Sequence, residues 1–255
     1  MKINKKIIRP RKDSEAKLDF FSFVGHQLKG PLSTMKLSLE MLLNGDFGKI
    51  SKEQKDIIEK TLKKNKVLIS IIKDLLDIAK IETEEYSSHW KLVDIKDLVE
   101  SVVNVAKEEI QKKKIKLEIK KNKIKHSKTM LDKERMFLAI QNIVDNAVKY
   151  TPVGGKVNIS FNDGQNEIEI KIQDSGIGIP KYQKDKLFSK FFRGSNAKKI
   201  ESSGSGLGLF IAKHIIEAHN GKISFISEEN KGTTFTVALP IHLIRFSARD
   251  GSAFG

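Results

Sequence analysis

Amide and ammonium side chains recur on one face of a predicted helix in the middle of the chain. Asn142 and Asn146 stand four residues apart and Lys149 follows three residues later, so the three share one side of a helix. Amide oxygens beside an ammonium group can hold Mg²⁺ and steady a triphosphate. A solvated helix surface is the alternative interpretation, because that is the usual setting of such residues.

Two glycine-containing stretches indicate where a phosphorylated ligand could bind. DSGIGIP, residues 174–180, places the carboxylate of Asp174 and then two glycines at the end of a predicted strand, where backbone can approach a ligand. Alone, this stretch fits an ordinary turn equally well. SGSGLGLFIAKHI, residues 203–215, opens a helix, and the N–H groups at a helix start attract phosphate. It is neither a Walker loop, since no Gly-Lys-Ser/Thr follows, nor a Rossmann fingerprint, since no strand of a βαβ unit precedes it.

A histidine within a predicted helix could act as a nucleophile. His26 lies in GHQLKGPL, residues 25–32, and at 100° per residue it stands roughly 160° from the apolar stripe of that helix. We therefore expect its imidazole to face solvent, where in-line attack on a phosphorus atom is possible. Pro31 removes the hydrogen bond to the carbonyl of Gln27 and is expected to bend the helix beside His26.

Two long amphipathic helices must position this histidine. The first is predicted over Leu18–Leu43 and the second has its stripe over Ile58–Ala79, with glycines between them that stop the first helix. Ser51 and Gln54 form a capping box for the second helix. Two helices bury too little surface to hold together alone, so we expect a homodimeric four-helix bundle. The stripes comprise Phe21, Val24, Leu28, Leu32, Met35, Leu39 and Leu42, then Ile58, Leu62, Asn65, Ile69, Ile72, Leu76 and Ala79.

After about Tyr86 the pattern changes to short strands that alternate with helices. Asp163-Gly164 is expected to supply the positive φ of a hairpin turn. The result is a two-layer α/β sandwich with a loose loop around 194–206, so the whole chain is α+β. No pattern is readable after Pro240, and we predict a disordered tail over 243–255. Helices are predicted from Asp94 to Val105, over 132–150 and from Leu207 to His219, and strands over 115–120, 156–161, 167–172, 222–227 and 233–239.

Composition excludes several classes of protein. The chain has 255 residues, 39% hydrophobic and 31% charged, which is enough for one large domain or two modest ones. The absence of cysteine excludes disulfide scaffolds, cysteine-ligated zinc, iron–sulfur clusters and thiol nucleophiles. No apolar run approaches the ~18 residues that a membrane span needs. The first residues also lack the apolar core of a signal peptide, so a cytoplasmic location is expected.

The net charge of +15, from 47 basic and 32 acidic residues, raises the question of nucleic acid. Most of the basic residues are lysines, whereas arginine is the residue suited to bidentate recognition of bases and phosphates. The lysine run over 112–125 alternates with apolar residues as on a half-buried strand, and we interpret it as a solvated face. No nucleic-acid partner is expected.

Taken in their order along the chain, these stretches closely resemble two-component sensor histidine kinases, whose catalytic domain has the Bergerat ATP-binding fold. The likeness covers about Ala16 to Pro240. The matching stretches are 25–32 for the H box, Asn142–Thr151 for the N box, Asp174–Ile179 for the first glycine box, Phe188–Arg193 for the F box, Gly204–Gly208 for the second glycine box, and GTTF over 232–235.

This resemblance implies roles for individual residues. His26 should accept the phosphoryl group, and Asp174 should bind the adenine amino group with Thr233 nearby. Asn146 and Asn142 should coordinate Mg²⁺, and Lys149 should contact phosphate. The segment 182–205 should be a mobile lid over ATP. Further nucleotide contacts are implied for Tyr150, Gly176, Gly178, Gly204, Gly206, Leu207 and Gly208, and the catalytic candidates besides His26 are Gln27, Lys149 and Arg193.

Two positions depart from the family pattern. Gln27 stands where an acidic residue commonly follows the histidine. Its oxygen can orient the imidazole but cannot take up a proton, so general-base help of up to ~10²-fold or more would be lost. Gly30 stands where family members commonly carry threonine or asparagine, which helps to position the water that dephosphorylates the partner. Glycine has no side chain for this task, so phosphatase activity is not predicted.

The sequence therefore predicts a basic segment over 1–15, a dimerisation and phosphoacceptor domain over 16–86, an ATP-binding catalytic domain over 87–242 and the tail. The expected activity is autophosphorylation of His26 from ATP and Mg²⁺, followed by transfer to an aspartate of a separate response regulator. The chain would be cytoplasmic or the cytosolic part of a membrane-anchored sensor.

Two alternatives stay open. One is a hydrolysing ATPase of the gyrase and chaperone superfold, whose members carry a glutamate at the position of Asn142. The other is a degenerate kinase that acts as a dimeric binding scaffold, for which Gln27 and Gly30 are the support.

Overall fold

A computed structural model describes residues 12–82, 89–120, 127–164, 166–201 and 204–241. Within these ranges the side chains of residues 12–22, 26 and 79–82 are not described. The predicted tail over 243–255, and the basic N-terminal segment up to Arg11, lie outside the described residues. Internal contacts divide the chain into a first unit, residues 1–87 with 180–214, and a second unit, residues 88–179 with 215–255.

The first unit contains a helical hairpin of α1 (Lys12–Asn44) and α2 (Lys52–Glu82). α1 starts before the predicted Leu18, because polar residues compatible with a helix precede its apolar stripe. At the start of α2, the backbone N–H of Ser51 donates to Gln54 Oε1 at 2.8 Å, and the N–H of Gln54 donates to Ser51 Oγ at 3.2 Å. These two bonds confirm the predicted capping box.

The two helices pack closely, yet one hairpin does not cover its own stripe. At Gly25 a Cβ atom would overlap the side chain of Leu76, so α1 and α2 approach through this glycine. Asn65 is almost fully buried, whereas the stripe residues Leu28 and Met35 are 45% and 48% exposed. The hairpin therefore carries an apolar face that the described part of its own chain leaves in water.

The first unit also contains a 3₁₀ helix, Lys181–Lys186, a short helix α5 (Ser195–Ile200), and most of α6 (Gly208–Ala218), which continues into the second unit. The prediction of a loose loop around 194–206 is wrong for α5. Gln183 anchors this helix, because its Nε2 donates to Ser195 Oγ at 2.9 Å and its Oε1 accepts from Ser195 N at 3.1 Å.

The described strands of the second unit are β1 (Trp90–Asp94), β2 (Lys116–Lys120), β3 (Lys128–Asp132), β4 (Lys156–Asp163), β5 (Glu167–Asp174), β6 (Lys222–Glu228) and β7 (Gly232–Pro240). Five of these strands form one sheet in the order β2-β4-β5-β7-β6, in which β2 and β4 pair in parallel and the other neighbours pair antiparallel. A separate antiparallel pair joins β1 to β3. Helices α3 (Ile95–Lys112) and α4 (Lys133–Tyr150) pack on each other, and α4 also contacts β5.

One face of this sheet forms the core, as alternation along the strands predicts. The buried side chains include Val157, Ile159, Phe161, Ile168, Ile170, Ile172, Phe235, Val237 and Leu239 from the sheet, and Leu98, Val102, Ile140, Ile143 and Val144 from the helices. The α+β class and the helix-on-sheet layers are thus confirmed.

Two local predictions need correction, and one strand pair was not predicted. α3 runs to Lys112 and not to Val105, because its buried stripe continues through Ala106 and Ile110. The short pair β1 and β3 was not predicted, since each strand has five residues and no clean alternation. Gly164 does not have a positive φ; it closes the β4–β5 hairpin by donating its N–H to the carbonyl of Glu167 at 2.8 Å.

Candidate functional site

Asp174, the last residue of β5, is a buried carboxylate that is held at one oxygen. Its Oδ1 accepts hydrogen bonds from the backbone N–H groups of Gly176 at 2.8 Å and Thr233 at 3.1 Å. Burial raises the pKa of Asp174 to about 6, against the two N–H groups, which lower it. Oδ2 has no hydrogen-bond donor among the described residues, so it is available to a donor on a ligand.

The glycines after Asp174 let backbone segments come close together. Gly178 has φ +59°, and a Cβ there would overlap the carbonyl oxygen of Glu228. A side chain at this position would therefore displace the turn before β7 and with it Thr233. The turn is fixed further by Ser227, whose Oγ accepts from Ile179 N at 2.9 Å and contacts Thr233 Oγ1 at 2.8 Å.

α4 carries the amide and ammonium face that the sequence predicts. Its N-cap Asp132 accepts hydrogen bonds from the N–H groups of Glu134 and Arg135. Asn142, Asn146 and Lys149 are half-buried. Asn142 Nδ2 is buried and has no hydrogen-bond partner among the described residues. An unsatisfied buried amide is costly unless a ligand completes it.

The C-terminal end of α4 adjoins the first glycine box. The N–H of Ile177 donates to the carbonyl of Tyr150 at 3.3 Å, and the ammonium of Lys149 lies 5.6 Å from the centre of the Tyr150 ring. No group of three acidic or histidine side chains that could hold a metal occurs in the described ranges. A metal at this site would therefore depend on amide oxygens, water and ligand oxygens.

The glycine-rich loop before α6 belongs to the first unit. Gly206 has φ +71°, and a Cβ there would overlap the backbone of Phe191 and Phe192. Ser205 Oγ accepts from Leu207 N at 3.1 Å and donates to Asp74 Oδ2 on α2. The loop is thus hydrogen-bonded to the hairpin, and burial of Asp74 raises the pKa of its carboxyl group.

The predicted catalytic Arg193 also lies in the first unit. Its guanidinium donates to the carbonyl of Gly204 at 3.4 Å and to that of Glu201. Nearby, Gly208 begins α6, and Leu207 is fully buried. Arg193 therefore ties together the two ends of the segment that contains α5.

The predicted nucleophile lies on α1, but the side chain of His26 is outside the described residues. Its neighbours Gln27 and Gly30 are exposed, and the space around Gly30 is open, with nothing within 4 Å of a Cβ placed there. Pro31 lies inside α1 as predicted. The surface beside the histidine position is therefore open to solvent.

Two family models match the chain in the same order as these regions. Residues 16–84 match the His Kinase A (phospho-acceptor) domain. Residues 131–243 match the family described as Histidine kinase-, DNA gyrase B-, and HSP90-like ATPase. The family described by the second model includes histidine kinases, DNA gyrase B and HSP90. The match to a phospho-acceptor domain favours the histidine kinases among these three.

The chain belongs to the sensor histidine kinases. Among curated relatives, it is 31% identical over 240 residues to the sensor histidine kinase WalK of Bacillus subtilis, covering 92% of this chain and 38% of WalK. It is also 31% identical over 225 residues to the sensor-like histidine kinase SenX3 of Mycobacterium tuberculosis, covering 88% of this chain and 54% of SenX3. The chain thus spans roughly half or less of these relatives.

A solved structure supports the fold. Full-length ShkA in complex with AMPPNP aligns with a TM-score of 0.69 at 21% identity, covering 87% of this chain and 45% of ShkA. None of the helices in the described part of this histidine kinase is both long enough and apolar enough to cross a membrane.

The structure sorts the predicted site residues of this kinase into two sets. The second unit brings together Asn142, Asn146, Lys149, Tyr150, Asp174, Gly176, Gly178 and Thr233, and the first unit holds Gln27, Arg193, Gly204, Gly206, Leu207, Gly208 and the backbone of His26. Sequence reasoning missed Ser227 and Lys113. Ser227 carries no local signal, since its role depends on the pairing of β6 with β7. Lys113 was hidden inside a lysine run.

Proposed function

We propose that this chain is the catalytic core of a homodimeric histidine kinase. It uses ATP to phosphorylate His26 and then passes the phosphoryl group to an aspartate of a separate response regulator. The proposed regions are a phosphoacceptor and dimerisation domain over 16–86 and an ATP-binding domain over 87–242. The compartment would be the cytoplasm, including the cytosolic side of a membrane-anchored sensor.

The observation that carries this proposal is the half-satisfied carboxylate of Asp174. Two backbone N–H groups hold Oδ1, while Oδ2 can accept a hydrogen bond. The exocyclic amine of adenine is a donor of the right kind, and a buried acceptor of this sort rejects bases that present an oxygen there. Thr233, whose N–H fixes Asp174, lies beside the base in this arrangement.

Phosphates of the nucleotide would bind at the C-terminal half of α4. Lys149 supplies a positive charge, and Tyr150 a hydroxyl group. Asn146 and Asn142 would hold Mg²⁺ through their amide oxygens, which suits the oxygen preference of this ion. The unsatisfied Nδ2 of Asn142 supports this arrangement, because it can then donate to a phosphate oxygen. When bound, Mg²⁺ neutralises charge on the phosphates. The lid, 182–205, and the loop over 204–208 complete the proposed nucleotide contacts.

For the phosphoryl transfer itself, the protein mainly has to position the reacting groups and stabilise charge. A ring nitrogen of His26 attacks the γ-phosphorus while the bond to the β,γ-bridging oxygen breaks, so ADP leaves and the other ring nitrogen gives up its proton to water. Gln27 can orient the imidazole through its carbonyl oxygen but cannot accept that proton. Arg193 is proposed to stabilise charge on the transferring group after release from Glu201 and Gly204.

A second copy of the chain would complete the hairpin. The exposed stripe residues Leu28 and Met35 support this proposal, because pairing of two hairpins would remove both from water. The response regulator would then meet the open surface around the histidine position on α1.

Incubation of the full chain with γ-labelled ATP and Mg²⁺ tests the proposal. A histidine kinase gives protein-bound label that is lost in acid and kept in base. A hydrolysing ATPase gives free labelled phosphate, and a scaffold without chemistry gives neither product. The last two outcomes would each contradict the proposed activity.

A further inference from the structure

The backbone carbonyls at the end of α4 need hydrogen-bond donors that the proposed function does not identify. The last four carbonyls of a helix have no partner within the helix. Here they belong to residues 147–150, the same turn that contains Lys149 and Tyr150. Each of the four must find a donor elsewhere if the turn is to stay ordered.

Two of these carbonyls are satisfied by neighbours in sequence or in the glycine box. The carbonyl of Ala147 accepts from Thr151, through its N–H at 3.2 Å and its hydroxyl at 2.6 Å. The carbonyl of Tyr150 accepts from Ile177 N at 3.3 Å. The carbonyls of Val148 and Lys149 remain.

Lys113 satisfies both. Its ammonium nitrogen donates to the carbonyl of Val148 at 2.8 Å and to that of Lys149 at 2.7 Å. A cation at a helix C-terminus also interacts favourably with the helix dipole. Its backbone is fixed as well, because it caps α3 and its carbonyl accepts from Gly154 N at 2.9 Å.

Lys113 therefore differs from the other lysines around it. It is half-buried, whereas Lys112 and Lys114 are exposed, and burial lowers the pKa of its ammonium group. The interpretation of 112–125 as a wholly solvated face is wrong at this residue. An ammonium group that is partly desolvated and used for two carbonyls has a specific task.

We propose that Lys113 is a positioning residue for the nucleotide phosphates, acting through the last turn of α4. The two hydrogen bonds hold the backbone of Lys149, and so they aim its side chain and that of Tyr150. This inference rests on the proposed function, because it assumes that these two residues contact phosphate. It assigns Lys113 no contact with the adenine end of the nucleotide, which Asp174 binds.

Affinity for ligands with different numbers of phosphates tests this role. Lys113→Met keeps the apolar stem of the side chain and removes the donor. We expect it to bind AMPPNP about tenfold and ADP about fivefold more weakly, with adenosine affinity within about twofold of the unmodified chain. Lys113→Arg, which keeps the charge and several donors, should recover most of the loss. Titrations of the full chain with each probe and Mg²⁺ measure these affinities.

Lys112→Met is the matched control, because it removes the same charge from an exposed neighbour and should leave all three affinities within about twofold. If Lys113→Met does not fold, Lys113→Gln, whose amide can donate to one carbonyl, takes its place and should show the same ranking of the probes. Equal losses for all three probes, no loss, or equal losses in Lys112→Met would overturn the inference. If the unmodified chain binds neither AMPPNP nor ADP, the proposed function fails first.

Discussion

The helical hairpin and the sheet-containing second unit differ in how far one copy of the chain buries their apolar side chains. In the described part of the second unit, sheet and helices bury apolar side chains against each other, and Asn142 Nδ2 is the one buried side-chain polar atom without a partner. All four carbonyls at the end of α4 are satisfied. In the hairpin, Leu28 and Met35 stay close to half exposed. The second unit thus buries a core within one copy, and the hairpin carries an apolar face that the proposed second copy would cover.

This difference matches the chemistry proposed for each region. A nucleotide pocket must be preorganised, because its buried groups have to be in place before the ligand arrives. A phosphoacceptor must be reached by two partners in turn, first the nucleotide and then the receiver aspartate, so it belongs on an open helical surface. Substitutions in the two regions should therefore have separable effects.

The largest expected effect is loss of the nucleophile. His26→Ala should abolish incorporation of label from γ-labelled ATP, since alanine offers no ring nitrogen to accept the phosphoryl group. Binding of AMPPNP should stay within about twofold, because the proposed pocket lies elsewhere in the chain. Acid-labile label and calorimetric affinity measure the two quantities. Full labelling of this variant would show that another residue accepts the phosphoryl group.

Asp174→Asn should weaken nucleotide binding by the second unit without affecting the helical hairpin. Its Oδ1 can keep the N–H groups of Gly176 and Thr233, but Nδ2 then faces the adenine amine as a second donor. We expect nucleotide affinity to fall about 10²-fold or more. Asp163→Asn, at an exposed position on β4, is the control and should bind normally. Unchanged affinity in Asp174→Asn would contradict the proposed adenine contact.

The same substitution should stabilise the chain without nucleotide. The pKa of Asp174 is raised from 3.8 to about 6, so the folded state favours the protonated form. Its contribution to stability is complete below about pH 4 and is lost as the pH rises through about 6. Asp174→Asn removes this loss, and its free energy of unfolding at pH 7 should exceed that of the unmodified chain by about 1 to 3 kcal/mol. A difference that does not shrink as the pH falls toward 4 would contradict this origin.

A charged substitution on the apolar face of the helical hairpin should weaken the proposed dimer. Met35→Glu puts a charge in the centre of the proposed dimer interface and should raise the dimer dissociation constant about tenfold or more. Leu37→Glu is a matched control, because Leu37 is 59% exposed on the same helix and two residues off the stripe. Sedimentation of both variants measures dissociation, while AMPPNP affinity should not change. Equal effects of the two glutamates would place the interface elsewhere.

Sequence reasoning succeeded where the signal is local. The capping box at Ser51 and the asparagine face of α4 follow from spacing of a few residues. The same holds for Asp94, which begins the predicted helix and caps α3 by accepting a hydrogen bond from Lys96 N. It failed where the partner lies far along the chain. Lys113 takes its role from carbonyls 35 and 36 residues away, and Ser227 from a strand pairing, so neither could be separated from ordinary surface residues. Gly164 is an exception to this rule, because its partner Glu167 is nearby in sequence. The hairpin closes through the hydrogen bond from Gly164 N to the carbonyl of Glu167 and needs no positive φ.

The smallest expected effect concerns Gln27 on the exposed surface of α1. If this glutamine only orients His26, Gln27→Glu supplies a base and should raise the initial rate of phosphohistidine formation at saturating ATP by about two- to tenfold. ATP affinity should not change, because the carboxylate acts on the transition state and not on nucleotide binding. Glutamate and glutamine have similar helix propensity, so folding should not register the change.

Repulsion between the new carboxylate of Gln27→Glu and the γ-phosphate works in the opposite direction. Screening at an exposed position limits that cost to about 1 kcal/mol or less, and proton removal should outweigh it. Ser38→Glu is a useful control, because it adds one negative charge at an exposed position of α1 that lies about three turns away from His26. An unchanged or lower rate in Gln27→Glu would mean that proton removal does not limit the reaction, and that an open helical surface can support phosphorylation with orientation of the imidazole alone.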